Sequence, residues 1–259
     1  MIGTFLSQMS KTGRRESGGR GLPRFLRLGV FLLAAVEPIA YAQQVTVTGK
    51  VELLGGGSKN TDSSGAAVWL TPIGEPERAQ ASPERARQQL VQRNKSFSPH
   101  VVVVQVGSTV TFPNRDPFFH NVFSLFEGKR FDLGLYEAGS SRNVLFDRQG
   151  ISYIFCNIHP EMSGVVVAVN TPYHGISNSR GMVTIADVPS GRYELHVWHE
   201  RAVPESLDSH VRLISVSDSL RSFGVLRLEE QRNATLAHKN KYGEEYEKPS
   251  PAVPIYPHP

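Results

Sequence analysis

The sequence predicts an all-β protein built from β-sandwiches. Apolar and polar residues alternate over short segments, as at Val45, Val47, Val51 and Leu53, and this period of two is typical of half-buried strands. Turn-forming glycine, asparagine and proline residues separate the segments at short intervals, as they do in sandwiches. The 259 residues include 39% apolar and 9% aromatic side chains, which is enough for one large or two small hydrophobic cores.

Residues 1–42 have the residue order of a secretory signal peptide. A basic stretch is followed by the apolar run from Leu28 to Val36, and the segment ends in Ala40-Tyr41-Ala42. A basic start, an apolar centre and a small-x-small ending are typical of an export signal. The apolar run is too short for a bilayer, which takes about 20 residues to cross. We therefore expect a periplasmic protein with no transmembrane segment after cleavage of the signal.

The charge of the chain is concentrated in this signal. The whole sequence has 28 basic and 24 acidic residues, and its formal net charge is +4. Six of the basic residues and two of the acidic ones lie in 1–42, so the rest of the chain is formally neutral. Without a net positive charge, the main support for nucleic-acid binding is lost, and we expect no nucleic-acid partner.

Changes in composition divide the chain after the signal into five segments: strands in 43–72, a polar linker in 73–93, strands in 94–172, strands again in 173–228, and a tail in 229–259. In the linker, Ser82, Pro83 and Glu84 are typical of an N-cap, a first-turn proline and a first-turn acid, so we expect a short helix there. The tail is polar and then proline-rich, a composition that predicts disorder.

The single cysteine lies in the segment with the strongest chemical signal. One cysteine excludes disulfides within the chain, thiolate-rich zinc sites and iron–sulfur clusters. Cys156, His159 and Met162 fall within seven residues, directly after a predicted strand, and His120 lies upstream. A thiolate, two imidazoles and a weakly bound thioether are the ligands of a type 1 copper site. Each residue alone is better explained as core or loop, but together they indicate copper.

Residues 94–170 resemble the cupredoxins, in particular plastocyanin and amicyanin. The resemblance rests on Phe97-Ser98-Pro99, on the segment from Val106 to Phe112, on the turn at Asn114 and Asp116, on His120-Asn121, and on the spacing C-x₂-H-x₂-M. It implies a Greek-key sandwich that binds one type 1 copper ion, with His120, Cys156 and His159 as equatorial ligands and Met162 as the axial ligand. Asn121 would brace the ligand loop by hydrogen bonding.

Other segments resemble the carboxypeptidase-regulatory-like, transthyretin-type sandwich: Gly49-Lys50-Val51, the segment 65–70 and the segment 181–197. Two of them precede the copper-binding segment and one follows it. The resemblance therefore implies that the cupredoxin is inserted into a second sandwich made of 43–72 and 173–228. The alternative is one enlarged sandwich with extra edge strands.

The cupredoxin resemblance implies an electron carrier that is not an enzyme and that meets a redox partner protein in a small, transient contact. The H-x-H pairs and the H-C-H run of a multicopper oxidase are absent from the sequence, which excludes a trinuclear oxygen-reducing centre. Two alternatives stay open. One is a copper-binding or copper-delivery protein of the envelope with the same ligands, and the other is a non-redox adhesion or carbohydrate-binding sandwich.

Overall fold

The computed structural model describes residues 44–55, 62–74, 88–125, 128–231 and 238–246. Within these ranges the chain forms strands and one short helix, in the order β1 (Gln44–Leu54), β2 (Ala67–Pro72), β3 (Gln88–Gln89), β4 (Val91–Arg93), β5 (Ser96–Ser98), β6 (Val101–Gln105), β7 (Ser108–Pro113), β8 (His120–Ser124), β9 (Phe131–Tyr136), β10 (Ser141–Phe146), β11 (Gly150–Cys156), β12 (Ser163–Val169), β13 (His174–Ile176), β14 (Met182–Pro189), β15 (Gly191–Trp198), α1 (Pro204–Ser209), β16 (Arg212–Val216) and β17 (Ser222–Glu229).

The predicted all-β sandwich fold is confirmed. The predicted signal peptide and the predicted helix at Ser82 lie outside the described residues. Among the residues that are described, no helix combines the length and the apolar character that crossing a membrane would require.

The first and last strands of the described chain pair with each other. One sheet has the order β14-β1-β17, and a second has the order β13-β2-β15-β16. β1 buries every second side chain, as expected for a strand with one face on a core. The core between these sheets is formed by Val45, Val47, Val51, Leu53, Ala66, Val68, Leu70, Tyr173, Val183, Ile185, Val188, Tyr193, Leu195, Val197, Ala202, Val216, Phe223, Leu226 and Leu228.

The strands between residues 88 and 169 form the sheets that carry the candidate site. Their orders are β10-β7-β3 and β6-β12-β11-β8-β9, and β4 and β5 form a separate hairpin. These strands enclose a second core, which includes Leu90, Phe97, Val102, Val104, Val110, Phe112, Val122, Tyr136, Val144, Phe146, Ile154, Cys156, Met162, Val166 and Ala168. Cys156 and Met162 are therefore core residues as well as candidate ligands.

β6 and β12 pair in parallel and are buried on both faces. Val102 and Val166 point into the second core, and their sequence neighbours Val101 and Val165 belong to a third cluster that includes Trp198 of β15. Successive side chains of a strand point to opposite faces, which explains why these two strands are nearly continuous runs of valine. This third cluster joins the two sets of sheets.

The predicted linker over 73–93 is wrong for residues 88–93, which form β3 and β4. Leu90 is fully buried and belongs to the second core, and the buried Gln92 amide donates a hydrogen bond to Tyr136. The two glutamines of β3 are too few and too polar to show the alternation that is typical of a strand. Composition alone therefore groups them with the polar linker. The described chain also contains α1, which begins with Pro204 at its first turn and was not predicted.

Residues 238–246, which lie in the tail over 229–259 that is predicted to be disordered, make specific contacts near Cys156. Tyr246 donates a hydrogen bond to the backbone of Cys156, and His238 stacks on Phe155. Residues 232–237 and 247–259 lie outside the described residues. Residues 238–246 have no periodic apolar pattern, and they pack as an irregular segment through a few aromatic and polar side chains.

Candidate metal centre

Two neighbouring strands bring His120 and Cys156 to the same face of the sheet. β8 begins at His120, β11 ends at Cys156, and the antiparallel pairing of these strands places Cys156 opposite Val122. His120 lies two residues before Val122, so its side chain projects on the face that Cys156 occupies. The register of one strand pair thus fixes two of the candidate ligands.

A closed loop between β11 and β12 positions His159. The amide of Met162 donates to the carbonyl of His159 at 3.1 Å, and the amide of Cys156 donates to the carbonyl of Met162 at 3.2 Å. The amide of Asn157 donates to the carbonyl of Asn121 at 2.9 Å, which ties this loop to β8. These backbone hydrogen bonds turn the loop back toward the thiol, and His159 faces the end of both strands.

The three side chains converge in a buried space. The Cys156 sulfur lies 3.6 Å from Nδ1 of His120 and 3.5 Å from Nδ1 of His159. Cys156 and His120 are fully buried, and His159 is 8% exposed. Within the described ranges, these residues form the one group of three or more histidine, cysteine or carboxylate side chains whose ligand atoms lie close enough together to hold a metal ion.

The donor set fits a soft transition metal. A thiolate with two imidazole nitrogens suits copper or zinc, whereas Mg²⁺ and Ca²⁺ prefer oxygen ligands. Met162, the predicted axial ligand, is fully buried in the same core as Cys156, and its ligation stays a prediction.

Burial keeps the side chains of Cys156, His120 and His159 uncharged when no metal is bound. Burial raises the pKa of the Cys156 thiol, although the backbone N–H groups of Ile158, Asn121 and His159 oppose that effect. Burial and the neighbouring His120 lower the pKa of His159 to about 4, and burial also lowers the pKa of His120. At neutral pH both imidazoles can therefore act as ligands without losing a proton, and metal binding would release the thiol proton.

Asp116 orients His120, a role that its predicted place in a turn does not indicate. One carboxylate oxygen of Asp116 lies 2.9 Å from Nε2 of His120, so the other ring nitrogen, Nδ1, faces Cys156. The amides of Asn94 and Lys95 donate to the same carboxylate at 2.6 and 3.0 Å. A carboxylate on the outer nitrogen of a metal-binding histidine fixes its tautomer and orientation. In the sequence, the four-residue spacing between Asp116 and His120 is the one feature that could indicate this contact.

Asn121 lies where the resemblance predicts a brace. Its backbone carbonyl accepts the hydrogen bond from the amide of Asn157, so Asn121 and the Cys156 loop are joined through main-chain atoms. Its side-chain amide instead donates to Asp132 at 2.7 Å. The side chain thus acts on β9, and the backbone acts on the ligand loop.

Aromatic and aliphatic side chains surround the site. The ring of Phe118 contacts the rings of His120 and His159, with centroids 5.3 and 5.5 Å apart. Phe119 and Ile158, which are sequence neighbours of His120 and His159, are 45% and 40% exposed. The candidate ligands are therefore buried, and exposed apolar side chains border them.

Three other histidines, His100, His196 and His199, have partners away from the site. His196 stacks on Trp69 with centroids 5.1 Å apart, and Nε2 of His199 lies 3.1 Å from the carbonyl oxygen of Ser64. His100 pairs with Glu200. None of these residues joins a described cluster of three or more possible metal ligands.

Comparison with known proteins found no matching protein family and no matching curated protein. A purple cupredoxin from Nitrosopumilus maritimus is 26% identical over 32% of this chain and 99% of its own length, with a TM-score of 0.30. A reduced amicyanin variant is 21% identical over 39% of this chain and 98% of its own, with a TM-score of 0.31.

A copper-containing nitrite reductase from Thermus scotoductus is 23% identical over 38% of this chain, which corresponds to 25% of the enzyme, with a TM-score of 0.32. These structural neighbours are cupredoxins, and each corresponds to less than half of the chain. The resemblance of the remaining sheets to a carboxypeptidase-regulatory-like sandwich stays a prediction.

Proposed function

We propose that this protein is a periplasmic type 1 copper protein that carries single electrons between redox partners and is not itself an enzyme. The observation that carries the proposal is the convergence of Nδ1 of His120, Sγ of Cys156 and Nδ1 of His159 in one buried space. Met162 would supply the weak axial sulfur. Copper bound there would alternate between Cu(I) and Cu(II).

The surroundings of these side chains suit electron transfer. Two of the ligands lie on paired strands, and the third lies in a loop closed by backbone hydrogen bonds. Such a scaffold resists rearrangement when the charge at its centre changes, and its buried aromatic residues exclude water. The residues therefore hold the site in one geometry that both oxidation states of copper would have to share.

The exposed apolar surface next to His159 supports a transient partner contact. Ile158 and Phe119 are exposed beside the candidate ligands, while the His159 ring itself is almost covered. Electrons would leave through the edge of His159, and a redox partner would dock on the apolar residues around it. Small and short-lived contacts are typical of electron-transfer pairs.

Burial favours electron transfer over copper delivery. A delivery protein must exchange its ligands with those of an acceptor, which requires at least one accessible ligand. Cys156 and His120 have no exposed surface, and His159 has 8%. The non-redox sandwich does not account for a buried thiol between two imidazole nitrogens.

The test is Cu(II) titration of the purified metal-free protein, followed by visible absorption and electron paramagnetic resonance. We expect one copper per chain, an intense thiolate-to-copper band, and loss of that band in Cys156→Ser. His174→Ala is the matched control, because His174 is partly buried but lies in β13, away from this group, and it should keep the band. Absence of copper uptake overturns the proposal. Copper that binds but cannot be cycled reversibly by mild reductants favours delivery.

A further inference from the structure

The C-terminal segment 238–246 packs against the strand ends that carry the candidate ligands. It lies far from them in sequence, since Tyr246 is 90 residues beyond Cys156. Its contacts involve three separate side chains, those of His238, Lys241 and Tyr246, and the His238 ring meets both Phe123 of β8 and Phe155 of β11. A segment with so little apolar pattern would not be ordered by hydrophobic burial alone.

Tyr246 holds the peptide group that follows the candidate thiolate. Its hydroxyl donates a hydrogen bond to the carbonyl oxygen of Cys156 at 2.8 Å. That carbonyl lies at the last residue of β11, where the chain leaves the sheet for the ligand loop. Fixing this peptide group restricts the backbone rotations that would otherwise turn the Cys156 side chain away from the two histidines.

Lys241 connects the same segment to both sides of the site. Its amide donates to the side-chain oxygen of Asn157 at 2.8 Å, and its ammonium group lies 2.7 Å from a carboxylate oxygen of Asp132. The other oxygen of Asp132 accepts a hydrogen bond from the side chain of Asn121. Lys241 thus bridges the residue after Cys156 to the residue after His120.

His238 adds a third contact, with Phe155 of β11. Its ring stacks on Phe155 with centroids 3.9 Å apart and planes inclined by 25°, and the ring of Tyr246 meets it edge-on at 5.3 Å. Phe155 precedes Cys156 directly. The segment therefore contacts the residue before the thiol, the thiol residue itself and the residue after it.

From these contacts we propose that residues 238–246 form a clamp that holds the Cys156 side chain in its metal-binding geometry, with Tyr246 and Lys241 as its positioning residues. This inference rests on the proposed function of the site. A clamp of this kind preorganises the ligand loop before metal binds, so that binding and redox change require little backbone movement.

The clamp is tested by the reactivity of Cys156 in the metal-free, full-length protein. The measurement is the rate of alkylation by iodoacetamide, which can label only this thiol. Tyr246→Phe removes the hydroxyl that bonds to Cys156 and should raise the rate about three- to tenfold, the change that loss of one hydrogen bond causes in a local opening equilibrium. Lys241→Gln, which removes the ion pair with Asp132, should also raise it.

The matched control is Tyr193→Phe, which also removes a tyrosine hydroxyl that donates to a backbone carbonyl, here that of Pro189 at 2.7 Å. Tyr193 belongs to the first core, which does not include Cys156, so its variant should keep the wild-type labelling rate. Equal rates in Tyr246→Phe, Lys241→Gln and wild type overturn the clamp. Thermal unfolding of each variant shows whether faster labelling reflects local opening, as the clamp requires, or loss of the whole fold, which would contradict it.

Copper loading separates this inference from the proposed function. With copper bound, Tyr246→Phe should shift the thiolate-to-copper band and the reduction potential, while Tyr193→Phe should leave both unchanged. If Tyr246→Phe speeds alkylation but neither the wild type nor any variant binds copper, the clamp stands and the proposed function fails. If every variant binds copper with wild-type spectra and labelling rates, the clamp fails and the proposed function stands.

Discussion

At the residue scale, the candidate site depends on side chains that fix the direction of its ligands. Nδ1 of His120 faces Cys156 because Nε2 is held by Asp116. Burial by itself would raise the pKa of Asp116, but the amides of Lys95 and Asn94 and the His120 ring together hold that pKa below its usual value. A carboxylate that is already ionised and fully hydrogen-bonded is a rigid support for the imidazole.

This arrangement predicts that Asp116→Asn weakens metal binding. The amide keeps the size of the side chain but cannot accept from Asn94, Lys95 and His120 together. We expect the dissociation constant for copper to rise about 10- to 100-fold, the usual cost of losing an outer hydrogen bond to a metal-binding histidine. The measurement is competition with a chelator of known affinity.

Asp147→Asn is the control for this substitution, because Asp147 is an exposed partner of Lys129 outside the site. Its copper affinity should match that of the wild type. Equal affinity in Asp116→Asn would show that His120 is held without the carboxylate. Urea unfolding of the metal-free variants separates a loss of orientation from a general loss of stability.

The sequence predicts the candidate ligands more readily than the residues that hold those ligands in position. Cys156, His159 and Met162 stand within seven residues, so their chemistry is local and visible in the sequence. Asp116 could be placed only at a turn, because its contact with Asn94 and Lys95 depends on folding. Tyr246 could not be predicted at all, since its partner is a backbone carbonyl 90 residues away.

At the element scale, strands with one solvent-facing side were predictable and short irregular pieces were not. β1 and β15 show clear alternation, whereas β3 has two glutamines and no period. The helix α1 carried a usable signal in Pro204 and Glu205, the same kind of start that was recognised at Ser82. Periodicity thus predicts elements that pack by one face, and tertiary pairing decides the others.

The connection between β13 and β14 predicts a sharp glycine requirement at Gly181. Its φ is +76°, and an added Cβ would lie 2.1 Å from the carbonyl oxygen of Val51. We expect Gly181→Ala to lower the free energy of unfolding by about 3 kcal/mol, since backbone strain and overpacking act together. The measurement is equilibrium unfolding in urea.

Gly224→Ala is the matched control, because Gly224 has a φ of +80° but no atom within 4 Å of the added Cβ. This variant should lose only the conformational part, about 1 kcal/mol. If both substitutions cost the same, the close approach between Gly181 and β1 does not limit the packing.

At the scale of the whole molecule, the strand pairing supports the proposal that one sandwich is inserted into another. β1 pairs with β17, and β2 pairs with β15, so the segments on either side of 88–169 share sheets. The valines on the outer faces of β6 and β12 pack against Ala67 and Trp198. The junction therefore buries apolar surface, and we expect the two sandwiches to be coupled mechanically.

An ion pair at this junction predicts a pH-dependent contribution to stability. His100 precedes β6, and Glu200 follows β15. The hydrogen bond to Glu200 raises the pKa of His100 above its ordinary value of 6.5, although burial opposes it. Because the folded-state pKa is the higher one, the stabilisation is fully present below pH 6.5 and is lost as the pH rises through the folded-state pKa.

His100→Gln should therefore destabilise the protein at low pH more than at high pH. We expect a difference of about 0.5 kcal/mol between the two conditions, since half-exposed ion pairs contribute little. The measurement is urea unfolding of wild type and variant at about pH 5.5 and about pH 8.5. In the Glu200→Gln background, the effect of His100→Gln should no longer depend on pH, because Glu200→Gln has already removed the ion pair. The two substitutions form a double-mutant cycle that isolates this interaction. A pH-independent effect of His100→Gln in the wild-type background would show that the pair does not hold the junction.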